Sequence, residues 1–226
     1  MGGRGASSMS GGRGSVAKGS LILPSGETIE FDGDLQYGVN DKTLTGAARA
    51  TIENWENKRY KNKIEFGTVV DEYGNALGER KGSKGSVRTP ISWRQNENNV
   101  FSHNHPRESG GLGGSFSEGD LMNFANLKAR TSRATAKEGT YSISKGKNFN
   151  ASAFKEYVLK THADLDNKYS LKFKKFNGDY RDKKISYSEY LKAYNKTMNS
   201  QLIDMHNAYI AGQKQYGYTY TLEKRK

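Results

Sequence analysis

Apolar positions along the chain change their spacing several times, and each change predicts an element. In "SLILPSGETIEF" two short apolar-polar runs flank Pro24, Ser25 and Gly26, which predicts a β-hairpin. In "DKTLTGAARATIENWENKRYKNK", Leu44, Ala47, Ala48, Thr51, Ile52 and Trp55 recur at three- and four-residue steps, one face of an amphipathic helix. "IEFGTVVDEYGNALGER" returns to strand formers on both sides of a "DEYGN" turn, a second hairpin. "SVRTPIS" predicts another short strand, and "NVFS" predicts one that runs straight into "HNHP". After a glycine-rich stretch, "SEGDLMNFANLKAR" has helical spacing, with Leu121, Phe124, Ala125 and Lys128 or Ala129 turned inward. "GTYSISKG" then predicts a strand.

This order of helix, hairpin, strand, loop, helix and strand predicts an α/β domain over residues 19–150. Residues 1–18 are glycine, serine and arginine with little to bury, the composition of a disordered tail. Residues 151–226 predict a mostly helical, basic extension packing on the domain. It comprises two tyrosine-rich helices, the second ending at Gly212 or Gly217, and then the alternating run "YGYTYTLEK" as a last strand. Tyr187, Tyr190, Tyr194 and Tyr209 suit a helix face that covers a core.

Composition narrows the chemistry. The chain has 226 residues and no cysteine, so disulfides and thiolate metal sites are excluded and any metal must be held by histidine and carboxylate. Lack of cysteine fits a reducing compartment, and the chain is expected to be cytoplasmic. No apolar run approaches the roughly 20 residues of a membrane span, and the N-terminal residues lack the apolar run of a secretory signal. The net charge of +12 suits contact with nucleic acid or another acidic surface. The basic residues are scattered, however, which a solvated lysine-rich face explains equally well.

The chemistry concentrates in "FSHNHPRESGGLGGSFSEGDL". Side chains two apart on a strand share a face, so His103 and His105 can address one metal ion while Asn104 turns away. Pro106 ends the strand by removing a backbone donor. Ser117 and Asp120 have the spacing of a helix N-cap and its third-position acid. Asp120 can serve as both cap and third ligand. A hydrolytic metal site also needs a proton acceptor. Glu65, which interrupts the apolar element before "FGTVVD", and Glu79, in "ALGERKG", both qualify. Arg107, Glu108 and Ser109 read as a solvated loop or as the lining of a substrate groove. His162 and His206 fall in helical patterns and read as surface or partly packed residues.

Taken together, Glu65, "HNHP", Ser117 and Asp120 resemble the motif of the JAMM (JAB/MPN-plus) zinc metalloproteases: a glutamate on an early strand, His-x-His-Pro, then Ser-x-x-Asp on a helix. "IEFGTVVDEYGNAL" with "HNHP" is similar to the RadC-type branch, and "GGSFSEGDL" to JAB domains of phage head-morphogenesis proteins. The resemblance spans about residues 43–145. It implies a cytidine-deaminase-like mixed sheet flanked by helices and a zinc ion (Zn2+) on His103, His105 and Asp120. It also implies Glu65 as general acid/base and Ser117 as hydrogen-bond donor to the developing oxyanion. The implied substrate is a peptide or isopeptide bond in a protein tail, often beside a ubiquitin-like protein. The competing reading is a phage- or mobile-element-associated JAB-like structural or nucleic-acid-binding protein without proteolysis. Between "HP" and Ser117 stand the ten residues "RESGGLGGSF", more than the usual family spacing, and four glycines in "ESGGLGG" suggest a flexible rim.

Overall fold

The first hairpin forms around Pro24 in the computed structural model, which describes residues 16–38, 44, 46–90 and 98–225. Strands β1 (Val16–Ile22) and β2 (Thr28–Gln36) pair as a separate antiparallel ribbon. Residues 16–18, assigned to the tail by composition, belong to β1, and the rest of that tail lies outside the described residues. Helix α1 (Gly46–Arg59) follows, then the second hairpin as β3 (Phe66–Val70) and β4 (Ala76–Lys81). Residues 86–90, expected to begin a strand, are in none, and residues 91–92 lie outside the described residues.

Strand β5 (Val100–Asn104) carries the first histidine, and α2 (Glu118–Asn126) follows the glycine-rich stretch. The helix stops earlier than its apolar spacing suggested, and Ala129 is buried just beyond its end. Strand β6 (Thr131–Thr135) has no counterpart in the pattern reading. Strand β7 (Gly139–Lys145), helices α3 (Ala151–Arg181) and α4 (Tyr187–Tyr216) and strand β8 (Tyr218–Lys224) complete the chain. Gly217, not Gly212, ends α4, in the left-handed conformation at φ 72° that glycine adopts without strain.

The six strands from β3 onward form one open mixed sheet in the order β4-β3-β5-β6-β7-β8. β5 and β6 are parallel, with α2 as their crossover, and the other neighbours are antiparallel. β8 pairs along all of β7, so the C-terminal third supplies an edge strand as well as two helices.

The two faces of the sheet differ in chemistry. Ala134, Tyr141, Ile143, Tyr220 and Leu222 point to the apolar side, where Phe124, Phe154 and Tyr209 from the helices complete the main core. The opposite face, under α1, is polar. Arg133 of β6 is fully buried there and holds Glu56 of α1 through Nε–Oε1 at 2.7 Å and Nη2–Oε2 at 3.0 Å. Ser102 and Thr140 also donate to Glu56, and Glu223 of β8 accepts from Arg133 at 2.8 Å. Among the described residues, Ala48, Ile52, Val70 and Val100 form a small buried apolar cluster there, with Leu44 packed against it.

The tyrosines divide similarly. Tyr209 is buried in the core, whereas Tyr187 is 59% exposed and stacks with Tyr190 near the tip of the α3–α4 hairpin. His206 is not a surface residue: it is fully buried, its Nε2 on the Gln36 carbonyl, and burial lowers its pKa to about 4. Among the described residues, no helix is long and apolar enough to cross a membrane.

Candidate metal centre

β5 places the site. His103 lies at its inner end, 1% exposed, stacked against Phe101 at a ring-centroid distance of 5.3 Å. His105 stands one residue past the strand, held to the sheet by its backbone N–H on the Thr135 carbonyl at 2.9 Å. The two Nε2 atoms converge to 2.8 Å. Asp120 approaches from the first turn of α2, with Oδ1 3.3 Å from His103 Nε2 and Oδ2 3.4 Å from His105 Nε2. The ligand atoms of His103, His105 and Asp120 lie within 4.8 Å of one another, a group that could hold a metal ion.

The N-cap fixes Asp120. Ser117 Oγ accepts from the Asp120 N–H at 3.2 Å and donates to Asp120 Oδ2 at 2.7 Å, and the Ser117 N–H also donates to Oδ2 at 2.9 Å. This is a capping box with an aspartate in the third position. Oδ2 is therefore occupied by the cap, and Oδ1, facing His103, is left for a cation. Burial opposes the charge of Asp120, but His103 and His105 beside it hold its carboxyl well below the usual range. Burial likewise opposes a charge on His105, and Asp120 and Glu65 outweigh it and raise the imidazole. An electronegative pocket that favours positive charge on an imidazole favours a bound cation in the same place.

The donor set suits a borderline divalent ion: two imidazole nitrogens and one carboxylate oxygen, the ligand count of an open site. His105 Nδ1 lies 3.3 Å from the Gly114 carbonyl, which favours the tautomer that presents Nε2 to a metal. The corresponding atom of His103, Nδ1, is buried with no hydrogen-bond partner, and on that side of the ring packing against Phe101 takes the place of a polar contact.

Compared with known proteins, the chain matches no family model, no curated protein and no solved structure.

Glu65 and Glu79 go to different places. Glu65 is 7% exposed and lies close enough to the site for His103, His105 and Asp120 to act on its charge. Burial raises its pKa above the ordinary value, with the histidines pulling the other way. Glu79 is on the α1 side of β4, accepting from Trp55 Nε1 at 2.8 Å and from Arg59 at 2.5 Å.

The residue between the histidines turns away from the site for a reason the sequence hides. Asn104 is fully buried, and its Oδ1 accepts from the Phe66 N–H at 2.7 Å while its Nδ2 donates to the Ile64 carbonyl at 3.0 Å. These are the peptide groups on either side of Glu65. One side chain thus fixes Glu65 relative to the strand that carries His103. If the site is hydrolytic, with Glu65 as its proton acceptor, Asn104→Ala should leave metal content unchanged and lower kcat roughly 10- to 100-fold, the usual effect of misplacing a reacting group by about 1 Å. Metal analysis and steady-state kinetics on the same preparation check it.

The glycine-rich insertion is not a loose rim. Gly113 and Gly114 N–H donate to the buried Glu138 carboxylate at 3.1 and 2.8 Å, and Tyr141 Oη donates to it at 2.8 Å. Leu112 is buried with its N–H on Asn199 Oδ1 at 2.9 Å, and Gly110 N–H donates to Glu27 at 2.6 Å. Glycine is required where this segment meets the sheet: a Cβ on Gly113 would fall 2.2 Å from Ala136 Cβ. Since Gly114 also accepts from His105, the segment supports the metal centre. Glu138 is 25 residues from Gly113 and Asn199 is 87 residues from Leu112, and nothing local marks them.

Proposed function

We propose that the chain is a zinc metallopeptidase or isopeptidase of the JAMM type, hydrolysing a peptide or isopeptide bond in a protein tail. The observation that carries this reading is the convergence of His103, His105 and Asp120 with a buried glutamate, Glu65, beside them. A mixed sheet with flanking helices is compatible with the JAB/MPN-like fold that the motif implies. His103 Nε2, His105 Nε2 and Asp120 Oδ1 would hold the ion. When bound, zinc supplies Lewis-acid polarisation of the scissile carbonyl and a nucleophile at neutral pH.

The protein side chains do the rest. Glu65, pinned by Asn104, takes the proton of the attacking water and returns it to the leaving amine. A carboxylate raised toward neutrality is better suited to both transfers than an ordinary one. Ser117 keeps Asp120 in place through the cap; by the resemblance its hydroxyl would donate to the developing oxyanion, a contact worth about 3 kcal/mol, releasing Asp120 Oδ2 while its backbone N–H keeps that oxygen.

The test is hydrolysis of a mixed peptide pool followed by mass spectrometry. Cleavage is expected with the zinc-loaded protein, lost on chelation and restored by added zinc. Cleavage insensitive to chelation, or none with one zinc bound per chain, removes the peptidase reading.

A further inference from the structure

Beside the candidate centre lies a cleft of about 820 Å³ that no step above uses. Its rim is continuous in sequence with the site. Lys63 is two residues before Glu65, Lys84 follows Ser83, whose carbonyl accepts from the Glu65 N–H at 2.7 Å, and Pro106 and Arg107 follow His105. The lining contains the cations Lys61, Lys63, Lys84, Arg107 and Lys137 against one acid, Glu108. Lys137 is already engaged by Glu27 at 3.4 Å. Among the described residues, no carboxylate pairs with the other four. The opposing wall comes from α4, where Met198 and Leu202 present apolar surface and Asn195 an amide, while the buried Asn199 amide is committed to Leu112, Glu30 and Gly110.

Resting on the peptidase reading, we infer that this cleft receives an acidic segment of the substrate polypeptide in extended conformation. An extended peptide turns alternate side chains to opposite sides. Acidic side chains then meet the lysine rim while apolar ones meet Met198 and Leu202. Unpaired cations around a concave surface both attract such a segment and reject a basic one.

A single-stranded nucleic acid would also answer the charge, but it needs free aromatic faces for its bases. Of the two tyrosines of the lining, Tyr60 is covered by cations and Tyr194, 36% exposed, is a single platform already packed by other rings on part of its surface, too few for successive bases. Arg225 lies over the Tyr60 ring at 3.8 Å and Lys61 is 5.3 Å from the same ring. Tyr194 is packed among Phe173, Phe176 and Tyr190.

The test is fluorescence anisotropy with the zinc-loaded full chain carrying Glu65→Gln, so that binding is read without cleavage. The probe is a fluorescein-labelled octapeptide of alternating glutamate and leucine, compared with its lysine–leucine counterpart and with single-stranded deca-thymidine. The acidic peptide should bind at least ten times more tightly than either. K61E/K63E/K84E should weaken it at least tenfold, and the graded K61Q/K63Q/K84Q set should fall between. K174E/K175E/K214E, the same change in net charge at lysines outside the lining, should leave binding within twofold. Equal affinity for the two peptides, tighter binding of deca-thymidine, or equal loss in the control triple overturns the inference. Charge-selective binding without hydrolysis by the wild type would instead sink the peptidase reading and leave the cleft assignment standing.

Discussion

Glu65→Gln should bind one zinc per chain as the wild type does and hydrolyse substrate at least about 100-fold more slowly, near 2.7 kcal/mol of lost transition-state stabilisation. The substitution keeps the shape of a side chain that is 7% exposed and that acts on His103, His105 and Asp120 through its charge. Among the described residues, what it removes is a carboxylate beside the site that is not one of the three candidate metal ligands. Glu79→Gln is the matched control. Its carboxylate is tied to Trp55 and Arg59, so that variant should lose little activity. Zinc lost from Glu65→Gln would make Glu65 a ligand instead, and unchanged turnover would remove it from the chemistry. Single-turnover kinetics beside metal analysis separates these outcomes.

The largest effect on stability is expected far from the metal. Glu56→Ala strips the fully buried Arg133 of its two-pronged partner, and breaking one side of a buried pair costs about 3–5 kcal/mol. Glu223 still accepts from Arg133 at 2.8 Å, which places the loss near the lower end, about 3 kcal/mol. For a chain of this size that lowers the melting temperature by about 6–12 °C. Replacing the pair together, as Glu56→Leu with Arg133→Met, should recover most of the loss, because the penalty lies in the orphaned charge rather than in the missing attraction. Denaturant titration of the single and double variants decides it. A single-variant loss under about 1 kcal/mol would mean that Glu223 and water suffice for Arg133.

The buried pair also explains what the sequence could and could not show. Apolar spacing and turn residues reveal elements that bury a greasy face, and so both early hairpins, α1, β5, α2 and β7 were legible. β6 was not. "TSRAT" lacks an apolar run because one side of this central strand faces Glu56 and Thr140 rather than a hydrophobic layer. The candidate metal ligands were legible because their spacing is local: His103 and His105 are two residues apart at the end of a strand, and Asp120 is the third-position acid of the cap at Ser117. Their supports were not. Asn104 meets residues 64 and 66, Glu138 meets residues 113 and 114, and Asn199 meets residue 112, pairings that exist only once the chain is folded. The glycine-rich insertion misled for the same reason. Its composition reports freedom in the unfolded chain, whereas the close approach of Gly113 to Ala136 requires glycine in the folded one.

Zinc content bears most directly on the account. The full chain, loaded with zinc and passed through a desalting column, should retain one zinc per chain by elemental analysis, while His103→Ala and Asp120→Ala retain less than a tenth of that. Added zinc should also raise the melting temperature of the wild type and of neither variant. A wild type without stoichiometric zinc, or variants that keep it, would contradict a metal centre on His103, His105 and Asp120.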